Sequence, residues 1–184
     1  MSVGIILSNT GWPGIAVHVA PQSRLTNRLA IPRNETAVRK LLALKGRHES
    51  AGLVLIASEF EQLGTWVADV SRDLLDRAMQ TWPGPVTWLF PRAEGVPDFV
   101  AGRHDTVAVR ITAHVPSRQL CAAFGSALIS TSANPTTDPP ARSVSEVRKY
   151  FSAGLAGILA GELGDGKKPS EIRDLASGNI IRAG

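Results

Sequence analysis

ETAVRKLLALKGRHESAGLVLIA, residues 35–57, is the stretch that decides the fold. Asn34 stands before it as an N-cap, and Val38, Leu41 and Leu42 share one face of a helix predicted to run to about Leu44. Gly46 falls where a helix C-terminus favours a left-handed residue. Leu53 to Ala57 is a short apolar, partly β-branched run, which predicts a fully buried strand. A helix feeding a buried strand is one half of an α/β unit.

Working outward, the same alternation recurs. Toward the N-terminus, Val3 to Leu7 and Ile15 to Val19 read as short strands around a Trp12-Pro13-Gly14 turn. Pro21 to Arg33 is polar and irregular. Toward the C-terminus, Ser71 is placed to cap a helix from Arg72 to Gln80, which Trp82-Pro83-Gly84-Pro85 stops. Val86 to Phe90 and Val107 to Ile111 read as strands, Pro116 to Phe124 as helix and Ala127 to Ser130 as strand. Ser143-Val144-Ser145-Glu146 is a capping box opening a helix to about Phe151. Strands near Ile172 and from Ile180 to Arg182 finish the series. The expected fold is α/β: a single domain with a twisted mixed sheet and flanking helices. Residues 1–33 form an N-terminal segment of that domain and residues 34–184 its body.

The bulk numbers fit. A chain of 184 residues is one domain's worth, and 43% hydrophobic with 20% charged residues is ordinary for a soluble protein. The longest wholly apolar run, LVLIA, is far too short to span a membrane, so no membrane partner is expected. The start, MSVGIILSNTGW, lacks the positive segment of a secretory signal, and a cytoplasmic location is expected. The one cysteine, Cys121, excludes an internal disulfide or a cysteine zinc cluster and reads as a small core residue. His18, His48, His104 and His114 show no metal-ligand spacing, so no metal-ligating residues are assigned. A net charge of +4 and a pI near 9.7 point to anionic ligands or RNA, or to a solvated basic surface.

Three segments could carry chemistry. Lys45-Gly46-Arg47 sets two cations about a glycine at a helix end, where both could converge on one anion; alternatively they complement the helix dipole. Ser130-Thr131-Ser132-Ala133-Asn134 follows a buried strand, where open α/β sheets bind ligands; its hydroxyls and amide could hold phosphate, ribose or a metal-bound phosphate, or merely cap local backbone. Arg110, on an alternating strand, reads equally as a carboxylate clamp or as half of an ion pair. Ser170 and Arg182 add a hydroxyl and a guanidinium. No Walker loop, GxGxxG or Ser-His-Asp order is present.

In combination these segments resemble the YrdC/TsaC family of threonylcarbamoyl-AMP synthases. The resemblance runs from about Glu35 to Gly184 and includes GLVLIA followed by FEQL, WPGPVT at 82–87, VAVRIT before His114, STSAN at 130–134, PPAR at 139–142 and PSEIRD at 169–174. The family's K-x-R and S-x-N signatures fall on Lys45/Arg47 and Ser132/Asn134. The resemblance implies a YrdC-like nucleotide-binding fold and a reaction joining L-threonine, bicarbonate and ATP into threonylcarbamoyl-adenylate, with Mg2+ present and pyrophosphate released. A separate tRNA threonylcarbamoyl transferase complex would then use the product, and tRNA or double-stranded RNA is an implied partner. Lys45 and Arg47 would be the catalytic cations on phosphates or the carbamate. Ser132, Asn134 and Arg182 would bind nucleotide, and Arg110 and Ser170 would bind threonine.

Three departures accompany the likeness. Residues 1–33 contain no P-T-E followed by a Y/F-G-L-G turn, the element that shapes the family's threonine end. The lysine expected after K-x-R is Ala51, and the usual proline is His48. These departures carry an alternative function, a non-catalytic or degraded relative that binds nucleotide or RNA.

Overall fold

A computed structural model describes residues 3–6, 15–17, 31–152, 155–159 and 170–184. The Trp12-Pro13-Gly14 turn, the expected strand ends at Leu7 and Val19, most of the 21–33 segment and Pro169 lie outside the described residues.

Local signals set the first helix. Asn34 has extended backbone and its side chain accepts from the Ala37 amide at 3.0 Å, opening α1 (Glu35–Lys45). Gly46 closes the helix at φ 58°, and the Arg47 amide returns to the Leu42 carbonyl. Val38, Leu41 and Leu42 are buried, as their spacing predicts. The next helices are α2 (Arg72–Met79), the short α3 (Asp98–Ala101), α4 (Val115–Phe124) and α5 (Val144–Tyr150). Ser71 occupies the cap position of α2 without a side-chain cap bond. At α5 Ser143 caps the Glu146 amide, but the Glu146 carboxylate accepts from the Arg142 amide, one residue earlier than in a reciprocal capping box.

The strands are β1 (Val3–Ile6), β2 (Ile15–Val17), β3 (Val54–Ala57), β4 (Thr87–Pro91), β5 (Thr106–Ile111), β6 (Leu128–Ser130), β7 (Leu155–Leu159), β8 (Ile172–Asp174) and β9 (Ile180–Arg182). Six form a mixed sheet in the order β6-β3-β5-β4-β8-β9, with β3 parallel to β5 and β4 parallel to β8. The expected mixed sheet with flanking helices is present. Beside it stands a three-stranded sheet, β2-β1-β7, not foreseen from sequence; no element was expected at β7.

Register divides the large sheet into two unlike faces. Ile129, Leu55, Val109 and Trp88 are mutual neighbours across β6, β3, β5 and β4, and all four are buried. Full burial of each such side chain contributes about 1.5–3 kcal/mol, which makes this row the spine of the core. One residue along, the neighbours are Ser130, Val54, Ala108 and Leu89, on the opposite face by the two-residue period of a strand. Small and polar groups there leave room above the sheet.

Candidate functional site

That second row floors a cleft of about 740 Å³. One wall comes from the turn after α1, with Arg47, Ala51 and Gly52, and from the α3–β5 junction with His104. The other comes from Ser132 and from Pro139 to Arg142, while Ile181 and Arg182 of β9 close the far side. Among the described residues no carboxylate lines the cleft, whereas Arg47, Arg142 and Arg182 all do. Such a lining attracts anions.

Of the two cations Arg47 lines the cleft and Lys45 does not. The Lys45 ammonium, only 3% exposed, donates to the Ser132 and Asn134 carbonyls. The Lys45 carbonyl in turn accepts from the amide and hydroxyl of Thr136, each at 2.8 Å. One residue thus stitches the end of α1 to the 130–136 loop. Burial first, and the charge of Arg47 second, push the Lys45 amine down to about 8. Arg47 alone lines the cleft, its Nη2 donating to the Gly52 carbonyl at 2.9 Å.

The guanidiniums crowd one another. Arg110 lies on β5 in the next row along, paired with Ile56, and on the same sheet face as Ala108. It is 3% exposed, and burial followed by the charge of Arg182 lowers its pKa to about 10. Arg47 is lowered by burial and then by Arg182 as well. Arg182 donates to the Ser170 carbonyl at 2.9 Å, and the Ser170 hydroxyl lies 3.1 Å from that of Thr87. Arg47, Arg110, Ser170 and Arg182 therefore gather about one end of the sheet. His114, buried beside Arg110, caps α4 through Nδ1 and contacts the Ser117 hydroxyl at 2.6 Å; burial and then Arg110 push it down to about 4.

Ser130 Oγ, Asn134 Oδ1 and Arg47 Nε are buried without a hydrogen-bond partner among the described residues. Each such group costs stability unless a ligand or water completes it. Ser130 lines the cleft and Asn134 does not, so of the two oxygens only Ser130 Oγ stands where it could touch a Mg2+ held by the phosphates of a bound nucleotide.

Three polar lining residues escaped the sequence reading as site residues, His104, Thr106 and Arg142. Their one signal was the position of Arg142 in the PPAR segment. Of the departures, Ala51 lines the cleft as a small side chain, and His48 N-caps the Glu49–Ala51 turn by accepting from the Ser50 amide. Among the described residues no helix is long and apolar enough to cross a membrane, and no group of three His, Cys, Asp or Glu side chains is placed to hold a metal.

Known proteins resemble the chain in sequence and in fold. The family model for Sua5, YciO and YrdC, described as "Telomere recombination", matches residues 9–184. A protein of Halorhodospira halophila named threonylcarbamoyl-AMP synthase is 48% identical over 82% of the chain and 79% of its own length. One of Pseudomonas entomophila with the same name is 48% identical over 83% of the chain and 82% of its length. Among solved structures, P. abyssi Sua5 superposes with a TM-score of 0.80 at 26% identity, covering 95% of the chain; the chain spans 49% of that longer protein. E. coli YciO shares the fold alone, with a TM-score of 0.74 at 19% identity over 98% of the chain and 83% of its own.

Proposed function

The chain belongs to the Sua5/YciO/YrdC family, and from that premise we propose that it synthesises threonylcarbamoyl-AMP from L-threonine, bicarbonate and ATP, releasing pyrophosphate. The observation that carries the reading is the arginine-lined cleft above the Ser130–Val54–Ala108–Leu89 row, with no carboxylate among the described residues that line it. Its volume of about 740 Å³ suits a nucleotide with an amino acid beside it. The 48% identity to proteins named threonylcarbamoyl-AMP synthase favours an enzyme over a non-catalytic relative.

Placement in and beside the cleft supports the following residue roles. Threonine's amine and carbon dioxide, supplied by bicarbonate, give a carbamate; a carbamate oxygen bonds to the α-phosphorus as the bond to pyrophosphate breaks. No protein nucleophile is needed. Arg47 and Arg182 face the phosphates, and their fixed charge stabilises the negative charge that grows on the departing oxygens. Ser132, with Ser130 and Thr131, holds the nucleotide through hydroxyls. Arg110 clamps the threonine carboxylate, with Ser170 and Thr87 supplying hydroxyls at that end. Lys45 acts through the loop, fixing the carbonyls of Ser132 and Asn134 and so presenting their side chains. Mg2+, carried in on the ATP phosphates with Ser130 as a protein oxygen available to it, would neutralise charge on the leaving pyrophosphate. The product would pass to a transferase acting on tRNA in the cytoplasm; the basic pI is compatible with an RNA partner.

Pyrophosphate release with L-threonine, bicarbonate and Mg·ATP is the test. Release that needs both threonine and bicarbonate, and falls in Arg47→Ala, is expected. A folded protein that binds ATP and releases none is the non-catalytic relative instead.

A further inference from the structure

The guanidinium of Arg47 is held by one peptide group, and that group is held by another part of the chain. The Gly52 carbonyl accepts from Arg47 Nη2 at 2.9 Å. The amide of the same peptide unit, on Leu53, donates to the Val100 carbonyl at 2.8 Å. In a trans peptide the carbonyl and amide point in opposite directions. A bond fixing the amide on α3 therefore aims the carbonyl at Arg47.

What brings the end of α3 this close is a pair of glycines. Gly102 has φ 70°, and a Cβ there would lie 2.5 Å from the Ser50 carbonyl oxygen and 2.7 Å from the Gly52 nitrogen. Gly52 has φ 63°, and its Cβ would lie 2.9 Å from the Ala101 carbonyl oxygen. Both backbones take conformations that side chains resist, and they meet without a side chain between them. Any added carbon must push the 50–52 turn away from α3. The peptide that anchors Arg47 lies in that path.

We propose that Gly102, which does not line the cleft, is a positioning residue for Arg47: its close approach to the 50–52 turn orients the Gly52 carbonyl and so fixes the guanidinium against an anionic substrate group. This inference rests on the reading that Arg47 contacts the nucleotide.

A double-mutant cycle tests it, using the full chain and pyrophosphate release at a temperature below the melting point of every variant. Gly102→Ala is expected to raise KM for ATP about tenfold, as a displaced charged contact does, with KM for threonine little changed. In an Arg47→Ala background the same substitution is expected to change KM for ATP no further. Gly52→Ala, with the milder 2.9 Å approach, serves in the same cycle where Gly102→Ala does not fold. Effects that simply multiply with those of Arg47→Ala overturn the proposal, as does a folded Gly102→Ala or Gly52→Ala with unchanged KM for ATP. A merely structural role would lower the melting temperature without this non-additivity. Failure of the functional reading looks different: the unmodified protein then releases no pyrophosphate. An Arg47→Ala variant with normal KM for ATP removes the premise and the inference with it.

Discussion

Lys45 and Arg47 flank one glycine, yet they end in opposite surroundings. Around Lys45 the protein has spent the cation on itself: two carbonyls take its protons and its own carbonyl takes two from Thr136. Around Arg47 the charge stands open to the cleft, with Arg142 and Arg182 in the same lining, no carboxylate among the described residues there, and Arg110 in the adjoining row. The first region is scaffold made from a charged residue; the second is a cleft wall that gathers like charges at a cost in self-repulsion. A signature of two cations thus splits into a part that shapes the loop and a part that lines the cleft.

The contrast is broken most easily at Arg110. Arg110→Met is expected to lower kcat/KM for threonine about a hundredfold or more, about 3 kcal/mol, because a charged contact with the carboxylate is removed. Activity close to that of the unmodified protein would take the arginine row out of the binding surface. Next in size, Lys45→Met is expected to destabilise the fold by about 2–3 kcal/mol, since two carbonyls of the loop lose their donor. For a domain of this length that is a fall in Tm of about 4–10 °C. Arg47→Met is expected to change stability by less than about 1 kcal/mol while weakening ATP binding. Equal losses of stability in the two variants would erase the distinction.

Protonation sharpens the comparison further. His114 titrates near 6.5 when unfolded and about 4 in the fold, so the unfolded chain binds more protons between those values. Its contribution, on the order of 2 kcal/mol, is whole above pH 6.5 and is lost as pH falls toward 4. Denaturant titrations from pH 7 to 4 on His114→Asn, which keeps a capping side chain, should show a flatter profile. An unchanged slope would mean that another group controls acid stability. The smallest effect concerns salt: raising ionic strength should stabilise the ligand-free protein by a few tenths of a kcal/mol by screening the guanidiniums, and less so in Arg182→Gln.

Much of the fold was legible because its signals are local. Asn34 and Gly46 bracket α1, and Val107, Val109 and Ile111 alternate to the buried face of β5. β7 was missed because LAGIL mixes small and apolar residues without alternation, and its pairing with β1 joins distant segments. The site was legible by residue type and less so by role. Arg47, Ser132 and Arg182 do line the cleft, and Ser170 and Arg110 lie beside it. That Lys45 does not line the cleft depends on carbonyls far along the chain, which no local pattern encodes. His104 and Arg142 join the lining by the path of their loops, which spacing does not reveal.

The stitch at Lys45 also has a kinetic meaning. It joins positions 87 and 89 residues apart in sequence. Closing so large a loop costs entropy before any contact rewards it. Under the proposed function, nucleotide affinity is then a readout of completed folding: a chain that lacks the stitch presents only part of the cleft, and saturating ATP pulls the folding equilibrium forward by mass action.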